Sequence, residues 1–256
     1  MEHPFARNYE SQALKAVSFP TLRFYGRLAG IFWDAGKVAK AGKYDGKRWT
    51  EDSERVGRLL EDMGIHVSIE GVENLDFEGP CVFEANHMST LETLFLPCII
   101  QPLRDVTFVV KRQLLSYPCL GPVLAAREPI ALGRANPRED LKLVMDEGQK
   151  ILASGRSIIV FTQGTRRSDV NPSDFNTLAM KLARKANVPV VPIALKTDAW
   201  GEGSLVKDLG PIKPHLPVHV SFGAPVEIKD GRSEHTEIVD FIKNSYDAWV
   251  ASDGKA

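Results

Sequence analysis

Pro80-Cys81-Val82-Phe83-Glu84-Ala85-Asn86-His87-Met88-Ser89-Thr90-Leu91-Glu92 reads as an apolar strand, a polar turn and the opening of a helix. The strand covers residues 80–85 and the helix runs from Ser89 to Ile100, with Ser89 or Thr90 able to cap its first turn. Strands and helices alternate downstream. Val106 to Val110 and Pro129 to Leu132 read as short strands around a Pro/Gly-rich loop. Asn136 to Ser154 is a helix whose apolar side carries Leu141, Val144, Met145, Ile151 and Leu152. Ser157 to Phe161 is a buried strand, followed by a polar turn and a helix through about Asn187. Val188 to Leu195 is a strand broken by two prolines, Val218 to Phe222 a late strand, and Glu234 to Val250 a closing helix; His66 to Ile69 precedes them all as a strand. Strands alternating with helices of ten or more residues predict an α/β fold, with a mostly parallel central sheet flanked by helices. Sites in such sheets lie where strands end and helices begin.

Ahead of that alternation, residues 12–41 read as helical, broken near Pro20. Leu22, Tyr25, Leu28, Ala29, Phe32 and Ala35 recur at three- and four-residue spacing, and Phe24, Ile31 and Trp33 widen the apolar side. Two readings stay open: an interfacial helix with basic flanks and aromatic anchors, or a helix packed on the protein's own core. A second helix follows, with Thr50 as N-cap, Val56, Leu59, Leu60 and Met63 inward, and Gly64 as the stop. The organisation expected is therefore a helical segment at 1–64, suited to docking on a membrane surface, and an α/β domain at 65–256.

At 256 residues, with 25% charged and 43% apolar residues, the chain has the size and composition of one globular core. A net charge of −1 supplies no global field for nucleic acid. The first fifty residues carry nine Lys/Arg and four Asp/Glu, a local +5 against −6 for the remainder, which hints at an anionic surface as partner. Three cysteines, Cys81, Cys98 and Cys119, sit in apolar runs and fit reduced thiols rather than a disulfide framework. The first residues lack the order of a signal peptide, and no window reaches the roughly 18–20 apolar residues of a spanning helix. The expected location is peripheral, on the cytoplasmic face of an inner membrane.

Three segments carry chemistry. His87 lies in the turn after the strand at 80–85, and Glu92 five positions on can reach back to one ring nitrogen. That contact fixes the tautomer and supports the imidazolium formed when the other nitrogen takes a proton. It is a base with its orienting group and no enzyme nucleophile; the plainer alternative is a capped helix with an incidental histidine. Phe161-Thr162-Gln163-Gly164-Thr165-Arg166-Arg167-Ser168 follows another buried strand. Its glycine permits close backbone approach, its Thr165 offers a hydroxyl, and Arg166 offers a fork for phosphate; alternatively it is a solvated loop. Lys111, Leu114, Pro118, Gly121, Arg127, Ile130 and Arg134 mark a segment whose cations could hold an anion or sit free on the surface.

Taken in this order, the segments resemble the 1-acylglycerol-3-phosphate acyltransferase (lysophosphatidic acid acyltransferase) family of glycerolipid acyltransferases. The family's Asn-His-x-Ser-x-x-Asp block is similar to Asn86-His87-Met88-Ser89-Thr90-Leu91-Glu92, and its Lys-x-x-Leu run ending in arginine to Lys111–Leu114 through Ile130–Arg134. Its Phe-Pro-Glu-Gly-Thr-Arg-Ser block resembles Phe161 to Ser168, and its proline-patterned strand Val188-Pro189-Val190-Val191-Pro192-Ile193. The resemblance spans about residues 65–225, and the N-terminal helices are similar to the membrane-docking hairpin of some bacterial members.

The resemblance implies that His87 deprotonates the acceptor hydroxyl, which attacks the thioester of an acyl donor on coenzyme A (acyl-CoA) or acyl carrier protein (acyl-ACP), with Glu92 orienting His87. Lys111, Arg134 and Arg166 would bind the acceptor's phosphate, Gly164 and Thr165 would shape the pocket, and Asn86, Ser89 and Gln163 complete the implied substrate-binding set. The proline-broken strand would line the acyl groove. No metal or redox cofactor is implied, and the partners expected are a lipid acceptor in a membrane and the acyl carrier. Two positions depart from the family: Glu92 stands for its aspartate, and Gln163 for its glutamate, which removes a charge and adds a donor. The alternatives kept alongside are the same chemistry on a different lyso-lipid, a thioesterase, or a catalytically silent lipid-binding protein at the membrane surface.

Overall fold

The computed structural model describes residues 3–12, 14–204 and 207–254. An eight-stranded sheet forms its middle layer, ordered β1 (Tyr9–Glu10), β2 (Val67–Glu70), β8 (Val218–Phe222), β7 (Val190–Lys196), β3 (Val82–Ala85), β6 (Ser157–Phe161), β4 (Val106–Lys111) and β5 (Ile130–Leu132) from edge to edge. Only the β1–β2 and β7–β8 pairs are antiparallel. The α/β reading with a mostly parallel sheet therefore holds.

Period-two alternation decides which helices cover which face. Phe83 and Ala85 of β3, Phe108 of β4 and Val191, Ile193 and Leu195 of β7 join the core under α1 (Pro20–Lys40), α2 (Gly46–Asp62) and α3 (Leu91–Ile100). Val82, Ile158, Val160, Val190 and Ala194 take the opposite face, under α5 (Pro137–Ala153), α6 (Leu178–Ala186) and α7 (Ser233–Asp253). A short helix, α4 (Leu120–Ala125), packs on α1. Gly148 brings α5 and α6 together: a Cβ there would stand 2.8 Å from Cδ1 of Leu182.

The N-terminal region differs from the sequence reading in three ways. Residues 14–19 are not helical; Pro20 occupies the first turn of α1 rather than breaking a longer helix. The buried stripe of α1 is Phe24, Leu28, Ile31 and Ala35, so Leu22 and Ala29 turn outward. Thr50 lies inside α2, its hydroxyl donating to the Gly46 carbonyl at 3.1 Å, because the cap is Asp45, whose carboxylate accepts from Arg48 N at 2.8 Å. α1 and α2 share one continuous core with α3 and the sheet, so residues 20–62 are integral to the fold.

Pro192 does not break β7. It falls between the pairing of Val190 with Val226 and that of Ile193 with Phe222, where its missing N–H leaves no ladder bond unmade on that side. Ala85 is in register with Phe161 on one side and Ile193 on the other, so the chains leaving β3, β6 and β7 emerge side by side.

Candidate active site

The three strand ends build one arrangement around His87. Asn86 leaves β3 fully buried, its amide donating to the Leu195 carbonyl and accepting from Leu195 N, both at 2.8 Å. That clasp fixes the start of the turn against β7. His87 follows, its backbone N–H donating to Oε1 of Gln163 at 2.8 Å and its carbonyl accepting from Arg167 N at 2.8 Å. Gly164, at φ 72°, gives the left-handed turn that folds the 162–167 loop over His87.

Glu92, in the first turn of α3, has no exposed side-chain surface. Its Oε2 contacts Nδ1 of His87. Its Oε1 accepts from Met88 N and Ser89 N, both at 2.8 Å, and from Thr197 Oγ1 at 2.5 Å. A buried carboxylate is tolerated when donors replace its water, and here three protein donors converge on one oxygen. With the carboxylate as acceptor, Nδ1 carries the hydrogen and Nε2 is left to take a proton. The imidazole stacks on Phe161, with centroids 4.4 Å apart and planes at 18°, and Phe108 lies beyond Phe161.

His87 opens onto a cleft of about 820 Å³. Its apolar wall includes Val109, Leu114, Leu132, Leu141, Phe161 and Leu178. Its cations include Lys111, Arg134, Arg166 and Lys207. Burial first, then the charges of Arg134 and Arg166, pull the Lys111 ammonium below its ordinary value; burial acts likewise on Arg134, opposed by Asp140. These are cations held at a cost, in a place where an anion would relieve it. Arg134 sits at φ 60°, a conformation uncommon for a side-chain-bearing residue, and Asp140 secures it by accepting from Gly133 N at 3.0 Å and Arg134 N at 2.8 Å. Arg166 pairs with Asp208, to which Tyr117 OH donates at 3.4 Å.

The cleft brings together His87, Lys111, Arg134, Gly164, Thr165 and Arg166. Asn86, Ser89 and Gln163, expected in the substrate-binding set, do not line the cleft. Ser89 is buried, its hydroxyl donating to Thr197 Oγ1 at 2.9 Å; Gln163 is buried, holding His87 N and donating to the Asp169 carbonyl at 3.4 Å. All three act on the shape of the His87 turn. Their polar atoms are spent on protein, so Ser89 is not poised as a nucleophile. The groove expectation for the proline-patterned strand is also corrected: β7 is buried throughout and no residue of it lines the cleft. Sequence reasoning missed Thr197, Asp140 and Asp208. Thr197 directly follows β7, and the strand-end rule was the signal available for it. Among the described residues no three His, Cys, Asp or Glu side chains gather as a metal site.

The decisive comparison is with a family model described as Acyltransferase, which matches residues 66–196, just over half of the chain. The chain belongs to the acyltransferase family. That span runs from β2 to the end of β7 and contains every residue around His87 except Thr197, along with Lys111, Arg134 and Arg166. A 1-acyl-sn-glycerol-3-phosphate acyltransferase of Pseudomonas aeruginosa is 38% identical over 131 residues, 51% of this chain and 49% of that protein. One from Limnanthes douglasii is 26% identical over 196 residues, 76% of this chain and 66% of its own. The chain thus spans about half to two thirds of the length of these curated relatives. Among solved structures, the 1-acyl-sn-glycerophosphate (LPA) acyltransferase PlsC of Thermotoga maritima shares the fold, with a TM-score of 0.66, 22% identity, and coverage of 91% of this chain and 95% of that one.

Proposed function

We propose that this acyltransferase-family chain moves a fatty acyl group from a thioester donor, acyl-CoA or acyl-ACP, to the free hydroxyl of 1-acylglycerol-3-phosphate. The observation that carries the reading is the shared cleft: an oriented imidazole and the cations Lys111, Arg134 and Arg166 face one apolar-walled space. The acceptor's phosphate would neutralise those cations while its hydroxyl meets Nε2 of His87. His87 removes the hydroxyl proton as the oxygen attacks the thioester carbonyl. The tetrahedral intermediate collapses, the C–S bond breaks, and the departing thiolate takes that proton back from His87. Glu92 stabilises the imidazolium between the two transfers. Cys81 and Cys98 take no part: both are buried, and burial raises the Cys81 thiol to about 11.

The relatives named as 1-acyl-sn-glycerol-3-phosphate acyltransferases support the choice of acceptor. The outer side of α1 supports a membrane surface as the place of work. Phe19, Leu22 and Trp33 stand 76%, 76% and 63% exposed beside Arg23, Arg27, Lys37 and Lys40. No helix among the described residues is long and apolar enough to cross a membrane. The test is release of free thiol from palmitoyl-CoA and palmitoyl-ACP, with and without lysophosphatidic acid in vesicles. Acceptor-dependent release with formation of phosphatidic acid is expected. Release that needs no acceptor, or none with any lysolipid, would contradict the reading.

A further inference from the structure

The cations of the cleft do not stand empty-handed. The guanidinium of Arg166 is in contact with the carboxylate of Asp208, and the two side chains are only 19% and 27% exposed. Asp140, a second carboxylate of the cleft, spends both its oxygens on the backbone of residues 133 and 134, and Glu202 also lines the space. Asp208 pairs with Arg166, and its charge raises the Lys111 proton affinity against Arg134, Arg166 and Lys207. Tyr117 OH donates to its second oxygen at 3.4 Å, while Nε of Arg166 is buried without a partner. The pair therefore leaves part of the guanidinium's donor set unused, and a phosphate, with three acceptor oxygens, can use more of it than a carboxylate held at one end.

The chain around Asp208 is anchored on α1. Gly210 O accepts from Tyr25 OH at 2.7 Å, and Ile212 N donates to Thr21 Oγ1 at 3.0 Å. Asp208 is accordingly a placed group within the cleft.

We propose that Asp208 sets the affinity of the acceptor site for phosphate, holding Arg166 in the place of the acceptor's phosphate until that phosphate displaces it. The inference rests on the function proposed above. Binding is then an exchange of one anion for another at Arg166. A phosphomonoester carries about −1.5 to −2 at neutral pH and replaces a single negative charge, so the exchange gains attraction to Lys111 and Arg134. An uncharged lyso-lipid brings nothing to exchange, so the charge of Asp208 acts on the phosphate acceptor alone. The same pair reforms behind the product, which lowers the affinity of the site for every phosphate ligand, product included.

Asp208→Asn keeps the size of the side chain and removes its charge, and the experiment reads two quantities. The first is the affinity of the protein for inorganic phosphate and for glycerol 3-phosphate by calorimetry, which needs no turnover. It should tighten by about 2- to 150-fold, the span of coupling within one salt-bridge network, and most of the gain should be lost when Arg166→Ala is already present. The second is the ratio of kcat/KM for 1-acylglycerol-3-phosphate to that for uncharged 1-acylglycerol, which should rise through a lower KM for the phosphate acceptor. Unchanged or weakened phosphate binding in Asp208→Asn, a gain of full size without Arg166, or equal effects on both acceptors would overturn the proposal. A wild type that acylates neither acceptor contradicts the proposed function instead, and the calorimetric arm then still decides the role of Asp208.

Discussion

The two ends of the cleft are built on opposite principles. At the His87 end, every group is held by several others: Glu92 is fully buried and takes two backbone N–H groups, a hydroxyl and the imidazole, while Gln163 and Phe161 fix the backbone and the ring plane. At the cationic end, Lys111, Arg134 and Arg166 come from a strand end and two loops, and one of them is paired with a carboxylate that an incoming anion would replace. On the function proposed above, the difference suits the rigid end to a proton transfer and the paired end to exchange of ligands. Rigidity belongs where charge develops in the reaction; exchangeable pairs belong where substrate enters and product leaves.

The sharpest way to break this comparison is to disturb each end once. Glu92→Gln removes the charge that supports the imidazolium and turns an acceptor into a partial donor facing Met88 N, Ser89 N and Thr197 Oγ1. It should lower kcat by about 10²- to 10³-fold with the acceptor KM little changed, and destabilise the fold by about 1–3 kcal/mol through unmatched buried groups. Arg134→Ala should do the reverse, raising the acceptor KM by about tenfold with kcat largely kept. Steady-state kinetics with both variants decides it; a kcat loss for Arg134→Ala equal to that for Glu92→Gln would erase the distinction.

A smaller effect sharpens the picture beneath the base. Glu84 lies in β3, two residues before Asn86, wholly buried, with Oε1 accepting from Thr162 Oγ1 at 3.0 Å and Oε2 without a partner. Burial raises its carboxyl to about 8. A raised acid keeps its proton in the folded state after the unfolded chain has released it, so stability falls as pH climbs from about 4.5 towards 8, by up to about 1.4 kcal/mol per unit. Glu84→Gln removes that penalty. Its melting temperature should exceed the wild type's by an amount that grows from pH 5 to pH 8. A constant difference across that range would mean that Glu84 is ionised in the fold.

Much of this was legible before any coordinates. The apolar runs at residues 82–85, 157–161 and 218–222 are local, and the strands fell on them. His87 and Glu92 sit within one turn of each other, so spacing alone brought them together. What spacing cannot show is a partner supplied by a distant loop: Thr197 reaches Glu92 across 105 positions, and Asp208 reaches Arg166 across 42. β1 escaped because two residues carry no period. The start of α1 was misplaced because Pro20 inside a helical pattern signals either a kink or a first turn, and the chain uses it as the latter. Asn86, Ser89 and Gln163 look like ligand-binding residues by type; only the hydrogen bonds reveal that they serve the turn instead.

The most direct test of the whole account is the rate of acceptor-dependent thiol release from palmitoyl-CoA by wild type and His87→Ala, with circular dichroism confirming that both are folded. The account predicts a loss of about 10²- to 10⁴-fold in kcat for the variant, with lysophosphatidic acid still bound. A folded His87→Ala protein that releases thiol at near wild-type rate would contradict the assignment of His87 as the base, and with it the role given to Glu92 and the turn that holds them.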